Sequence, residues 1–313
     1  MARRYSNLNP EHLPNGPKDI LRWGVLDRLA GRRRRKPLGP PAPRVHAELS
    51  RIDSADPIPR LTWIGHASFL ASFGARHFLV DPVFSTRIAT IVPRHCPPGL
   101  RPDQVPPLAA ALVTHCHYDH LDRRSICALP PTVPVVVPLG VEALMRDWGR
   151  QQVIQLDWWE SIEFADARVT LVPSRHWSRR GLLDTNRTLW GGYVIETDRG
   201  AVYHAGDSAW FDGFKTIGER FPALLAALLP IGGYDPGWFM EKHHLNPEQA
   251  GEAFLALGAR HLVPMHWGTF RLTDEPLMEP IERMQRWWDA RATAGKRLHC
   301  LSVGETISLE GTP

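Results

Sequence analysis

Six consecutive residues, His115-Cys-His-Tyr-Asp-His120, constrain this chain more than any other stretch. They follow the apolar run Ala109–Thr114, which reads as a buried strand, so the histidines fall on the loop at its end. Three imidazoles and a carboxylate within six residues serve no packing purpose. They are the usual ligands of zinc and similar divalent metals. Residues two apart on such a loop can point to one ion, and the next two, turning into a helix, to a second. The chain is therefore expected to fold so that other segments bring further ligands to this loop.

Three other loops offer them. His176 follows the expected strand Val169–Val172, Asp207 follows Ala201–His204, and His266 follows His261–Met265. Each sits just past a strand end, where sheet enzymes carry functional side chains. A lone histidine there is usually structural, but four loops built alike argue for a site. Asp81 and His66, near early strands, are expected to hold the ligating imidazoles by hydrogen bonds, since a metal-bound His usually donates its other N–H. His204, inside a strand, is expected to be structural. Tyr118, between two candidate ligands, is expected to face the cleft and touch substrate. His244 precedes a well-signalled helix, with Asn246 as cap, Pro247 at its first position and Gln249 closing a capping box. A helix N-terminus favours anions, so His244 is a candidate donor to one. Its neighbour His243 is expected to face solvent.

The remaining pattern is α/β. Strands are expected at Leu61–Ile64, Ser68–Phe73, His77–Val80, Val133–Val137, Gly192–Thr197 and Leu224–Pro230, with a helix over Pro280–Ala294 and a closing hairpin over Leu298–Leu309. The charge is uneven. Residues 1–60 carry 13 Lys/Arg against 6 Asp/Glu, whereas the rest carries 24 against 27. The basic character thus belongs to a Pro-rich N-terminal arm, 1–60, and the main domain is expected over 61–313. Within the arm Lys18–Ala30 reads as a short helix with Leu21, Val25 and Leu29 on one face, followed by the basic run Arg32–Lys36. That pairing suits contact with an anionic membrane surface. A near-neutral body argues against nucleic acid as a partner. Four cysteines without a CxxC pair read as reduced thiols, so a cytoplasmic location is expected, with peripheral contact on the inner face of the membrane.

The ordered set His115-x-His117-x-Asp119-His120, His176, Asp207 and His266 resembles the metallo-β-lactamase superfamily. The resemblance implies an αββα four-layer sandwich with a dinuclear site at one edge. It also implies that His115, His117 and His176 hold one metal, that Asp119, His120 and His266 hold the other, and that Asp207 bridges them. A narrower resemblance rests on Trp63-Ile-Gly-His-Ala-Ser, Asp81-Pro-Val-Phe-Ser, Leu156-Asp-Trp-Trp-Glu160, Pro230-Ile-Gly-Gly-Tyr234, His244-Leu-Asn-Pro-Glu248 and His266-Trp-Gly-Thr-Phe270. Together these are similar to the N-acyl-phosphatidylethanolamine-hydrolysing phospholipase D family, which places a functional His at the position of His244. Cys116, Arg175 and His243 depart from that pattern beside the site.

The implied reaction is hydrolysis of N-acyl-phosphatidylethanolamine to phosphatidic acid and an N-acylethanolamine. The implied cofactors are two Zn2+, with Mn2+ or Fe2+ as alternatives. Such ions lower the pKa of bound water from 15.7 to about 7, so hydroxide is the nucleophile and no Ser or Cys is needed. Asp119, Asp207 and His244 are the candidate catalytic groups, with Asp119 also orienting the water. The second reading is a lactonase or soluble phosphoester hydrolase of the same fold. The expected partners are a phospholipid or other phosphodiester, the membrane surface and a second copy of the chain. Most tryptophans are expected in the core, with a minority lining a groove for acyl chains.

Overall fold

Alternation at period two builds the first sheet. Strand β1 (Arg60–Gly65) pairs antiparallel with β2 (Ser68–Phe73), which pairs antiparallel with β3 (Arg76–Val80). Trp63, Phe69, Phe78 and Val80 turn inward to a core shared with the second sheet. Ile64, Leu70 and Leu79 turn outward into a second cluster. Both faces are covered, so successive residues of these strands are apolar on both sides. The structure, a computed structural model, describes residues 4–12, 14–33, 38–54, 56–291 and 293–310.

Chain order continues through a small ribbon, β4 (Arg87–Ile88) and β5 (Val92–Pro93), then β6 (Ala110–Leu112), β7 (Val135–Pro138) and β8 (Val153–Leu156), which add to β3 in parallel. The second sheet takes β9 (Ser161–Phe164), β10 (Ala167–Val172), β11 (Gly192–Thr197), β12 (Gly200–His204), β13 (Leu224–Pro230), β14 (His261–Met265) and β15 (Arg297–Leu298). The last strand, β16 (Thr306–Ser308), crosses back to pair with β1. Each sheet has seven strands. Helices Arg123–Ala128 and Glu142–Asp147 carry Ile126 and Met145 into a cluster with Val135 and Val137 on one outer face. Helices Gly213–Arg220, Pro247–Leu257 and Glu279–Asp289 bury Phe214, Phe254 and Met284 in the main core on the other. The result is helix–sheet–sheet–helix. The strands of the parallel runs β3-β6-β7-β8 and β12-β13-β14-β15 end at one rim, and that convergence positions the site.

The helix start at Asn246 forms as its sequence indicates: Asn246 Oδ1 accepts from Gln249 N–H at 2.8 Å, and Gln249 Oε1 from Asn246 N–H at 3.1 Å. The expected hairpin over Leu298–Leu309 does not form. Its two short strands belong to different sheets, because the edge of β14 and the edge of β1 each need a backbone partner and the chain serves one after the other. The N-terminal region lies against the body. Ala42 N–H donates to Gly268 O, and Val45 N–H to Val303 O, both at 2.9 Å. The helix expected over Lys18–Ala30 is present from Pro17 to Leu29, with a π turn over Arg22–Leu26. Arg33, read as part of a solvated or membrane-facing run, instead pairs with Asp274 at 2.5 Å and stacks on Trp23. Arg34, Arg35 and Lys36 lie outside the described residues.

Candidate metal centre

Ligand-type side chains arrive at the rim from six segments. The β6 loop supplies His115, His117, Asp119 and His120. The ends of β10, β12 and β14 supply His176, Asp207 and His266, the β1–β2 turn supplies His66, and the lead into helix Pro247–Leu257 supplies His244. Among the described residues they fall into three groups in which the donor atoms all lie within 4.8 Å of one another: His115, His117, His176 and Asp207; His66, Asp119, His120 and His266; and a smaller one of Asp207, His244 and His266 that overlaps both.

In the first group His117 Nδ1 lies 2.9 Å from His115 Nε2 and 3.2 Å from His176 Nε2. Asp207 Oδ2 is 3.9 Å from His115 Nε2 and 3.8 Å from His176 Nε2. In the second, Asp119 Oδ2 lies 3.5 Å from His120 Nε2 and 3.4 Å from His266 Nε2. Asp207 reaches this group too, with Oδ2 at 3.2 Å from His120 Nε2 and Oδ1 at 3.3 Å from His266 Nε2. Four ligands about 2.0–2.1 Å from a tetrahedral zinc ion sit roughly 3.3 Å apart, so both groups match that scale. The orientation matches as well. His120 Nε2, His266 Nε2 and Asp207 Oδ1 are buried without a hydrogen-bond partner among the described residues, although opposite charges lie within reach. The residues of both groups therefore suit a divalent cation.

The surrounding contacts fix which ring nitrogen faces inward. Asp81 is fully buried. Its Oδ1 accepts from Thr114 N–H at 2.8 Å, and its Oδ2 from Thr114 Oγ1–H and His120 Nδ1–H at 2.7 Å each. His115 Nδ1–H donates to Thr114 Oγ1 at 3.0 Å, and His176 Nδ1–H to His243 O at 2.9 Å. All three imidazoles thus keep Nε2 free as a lone pair, the form a metal needs. His66 Nε2 lies 3.0 Å from Asp119 Oδ2 and holds that carboxylate. His66, Asp81 and His266 all sit in the left-handed backbone region, at φ 55°, 45° and 65°. Such conformations cost about 1–3 kcal/mol each and persist where surrounding structure enforces them, commonly at functional sites.

Electrostatics favour the ligand forms of His115, His117, His176, Asp119 and Asp207. Burial, followed by the charge of neighbouring imidazoles, holds His115 well below its usual pKa. Burial likewise lowers His176 well below the ordinary value and His117 to about 4. Burial alone would raise the carboxyls of Asp119 and Asp207, but His120 and the other imidazoles hold both well below the ordinary range. His120 is raised despite burial, because Asp207, Asp119 and Asp81 surround it. His266 is raised to about 9 against its burial by Asp207 and Asp119. Positive charge is thus favoured where the two carboxylates converge.

Around this floor opens a cavity of about 650 Å3. Ile20, Trp23, Ile88, Val92, Phe239 and Leu272 form its apolar wall, and Asp119, Asp207 and His244 its floor. Tyr118 lies on the wall, half-exposed, with its hydroxyl donating to Arg180 O at 3.1 Å. His244 Nδ1 is 3.9 Å from Asp207 Oδ2 and has no hydrogen-bond partner among the described residues. His243 is buried, contrary to the expectation of solvent exposure: its ring packs 5.7 Å from Trp177 and accepts from Asn15 N–H. Nothing in the sequence indicated the N-terminal segment that covers it. Thr114 was also missed. Its only sequence signal is a hydroxyl directly before the His-rich loop. His204 is structural, with Nε2 donating to Ala67 O at 2.8 Å. Trp63, Trp190 and Trp267 are core, whereas Trp23 and Trp177 line the cavity.

Comparison with known proteins places this arrangement. A β-lactamase superfamily domain matches residues 76–267, and the chain belongs to that superfamily. Within it, the chain is a homologue of "N-acyl-phosphatidylethanolamine-hydrolyzing phospholipase D 1" of Caenorhabditis elegans, 36% identical over 248 residues, 74% of this chain and 70% of the relative. It is 33% identical over 263 residues to the mitochondrial "N-acyl-phosphatidylethanolamine-hydrolyzing phospholipase D" of Saccharomyces cerevisiae, covering 78% of this chain and 55% of that protein. Among solved structures, a possible metal-dependent hydrolase from Veillonella parvula superposes with a TM-score of 0.66 at 19% identity, over 80% of this chain and 99% of the other, a likeness of fold. The chain is accordingly a metal-dependent hydrolase of the metallo-β-lactamase fold.

Proposed function

We propose that the protein is a dinuclear zinc phosphodiesterase that cleaves N-acyl-phosphatidylethanolamine to phosphatidic acid and an N-acylethanolamine. The observation that carries this reading is Asp207, whose carboxylate lies within 3.9 Å of donors from both groups at the floor of an apolar cavity. His115, His117 and His176 would hold one ion, and Asp119, His120 and His266 the other, with Asp207 within reach of both groups. Bound there, the ions would supply an acidified water and positive charge against the phosphoryl oxygens.

The chain's own groups do the rest. Asp119, gripped by His66, orients the attacking water. His244 sits on the cavity side of Asp207, at the entry to an eleven-residue helix whose N-terminus favours anions. There it donates to a phosphate oxygen or to the leaving alkoxide. Tyr118 and the apolar wall hold the lipid, and burial of acyl methylenes contributes about 0.8 kcal/mol each.

Contact with a membrane fits the same face. Leu21, Val25 and Leu29 of the N-terminal helix are exposed, as are Ile91, Leu182 and Leu183, on three segments that border the cavity. Among the described residues no helix is long and apolar enough to cross a membrane. The contact is therefore proposed as peripheral, on the inner leaflet.

Mass spectrometry tests the reading. Zinc-loaded protein incubated with vesicles containing N-acyl-phosphatidylethanolamine should release phosphatidic acid and an N-acylethanolamine in equal amounts. Turnover of a lactone or a water-soluble diester, with neither lipid product, would instead assign the site to a soluble hydrolase.

A further inference from the structure

The backbone of His176 is paired by a side chain 169 residues away. Asn7 Oδ1 accepts from His176 N–H at 3.1 Å, and Asn7 Nδ2–H donates to His176 O at 3.0 Å. The same Nδ2 donates to His12 O at 2.9 Å, so the amide is saturated and fixed. Asn7 is buried, and Tyr5 N–H anchors this segment to Asn186 O at 2.8 Å. Further along the segment, Asn15 N–H donates to the ring of His243, and Asn15 Nδ2–H to Phe239 O at 2.6 Å. The carbonyl of His243 is the group that accepts His176 Nδ1–H. The N-terminal segment therefore grips His176 from both ends: its backbone through Asn7, and the acceptor of its ring through Asn15.

We infer that Asn7 is a positioning residue for His176, so that the N-terminal segment completes the first donor group. The inference rests on the dinuclear reading above. An amide offers, on two separate atoms, an acceptor to a peptide N–H and a donor to the same residue's carbonyl. A carboxylate would face that carbonyl with like charge, and alanine would leave both backbone groups unpaired in a buried place. Groups that orient a metal-binding histidine typically contribute about 10–100-fold to metal affinity or activity.

The test is zinc affinity, read by competition with a chromophoric chelator on the full chain. Wild type should show two zinc sites. Asn7→Ala should weaken one site by about 10–100-fold and the other far less, because Asn7 touches only one donor group. Excess zinc should restore turnover. Asn7→Asp keeps the acceptor and should fall between, and it carries the test if the alanine variant does not fold. Arg33→Ala cuts the same segment from Asp274, away from His176, and should leave both sites intact. Two unchanged sites in Asn7→Ala and Asn7→Asp would overturn the inference and leave the dinuclear reading standing. Equal weakening by Arg33→Ala would overturn it as well, assigning the effect to the segment as a whole. A wild type without zinc sites would overturn both the inference and the reading beneath it.

Discussion

At the residue scale, Asp81 shows how much of this centre lies outside its donor atoms. One carboxylate fixes Thr114 at backbone and hydroxyl and holds His120 in a single tautomer, while Thr114 does the same for His115. Asp81→Asn replaces one acceptor oxygen with an NH2, so either Thr114 or His120 then meets a donor. The expected loss in zinc affinity or turnover is about 10–100-fold, measured by chelator competition and steady-state rates. Asp207→Ala removes a carboxylate that faces both donor sets, and its turnover should fall to background while circular dichroism stays native. The histidine-rich loop was legible because its composition has no structural use. Asp81, expected to hold a ligating imidazole, contacts His120, whereas His66, read the same way, contacts the carboxylate of Asp119 instead. Thr114 and Asn7 were not legible, since a hydroxyl or an amide carries no sign of its partner until the chain has folded.

At the element scale, the outer helix layer depends on close approach. A Cβ on Gly251, in helix Pro247–Leu257, would stand 2.6 Å from the Trp287 ring of helix Glu279–Asp289. Gly251→Ala should therefore destabilise the protein by about 1–3 kcal/mol, seen as a lower Tm with unchanged metal content. Strand β14 carries a second device. His261 Nδ1 and His299 Nε2 meet at 2.8 Å, and burial followed by the charge of His261 lowers His299 to about 4. The folded state thus binds fewer protons than the unfolded state between about pH 6.5 and 4, and stability falls as pH drops through that window. His299→Asn should remove about 1 kcal/mol of this acid sensitivity, a figure reduced for partial exposure, in denaturation curves at pH 7 and pH 5. Strands with long apolar runs, such as β13, were plain in the sequence. The edge strands β8 and β9 were not, because Leu156 alone among their residues is buried. The closing hairpin was misread because short strands do not declare which sheet edge they will join.

At the scale of the whole molecule, two sheets bring their strand ends to one rim, and the N-terminal segment lies across it. The basic run suggested an arm reaching away from the body. The described part instead packs against it, with Trp23 stacked on Phe239 at 4.9 Å and Arg33 held by Asp274. That packing was illegible because its partners lie more than two hundred residues away. If the exposed leucines beside the cavity meet lipid, the double variant Leu29→Glu, Leu183→Glu should lower the vesicle-bound fraction severalfold in flotation assays without lowering Tm. The central claim, however, is the pair of donor groups that share Asp207. Its most direct measurement is metal analysis of the purified, dialysed protein by plasma mass spectrometry. Two equivalents of divalent metal per chain, zinc on this account, with loss of metal in Asp207→Ala, is the predicted result. One equivalent or none in the wild type would contradict it.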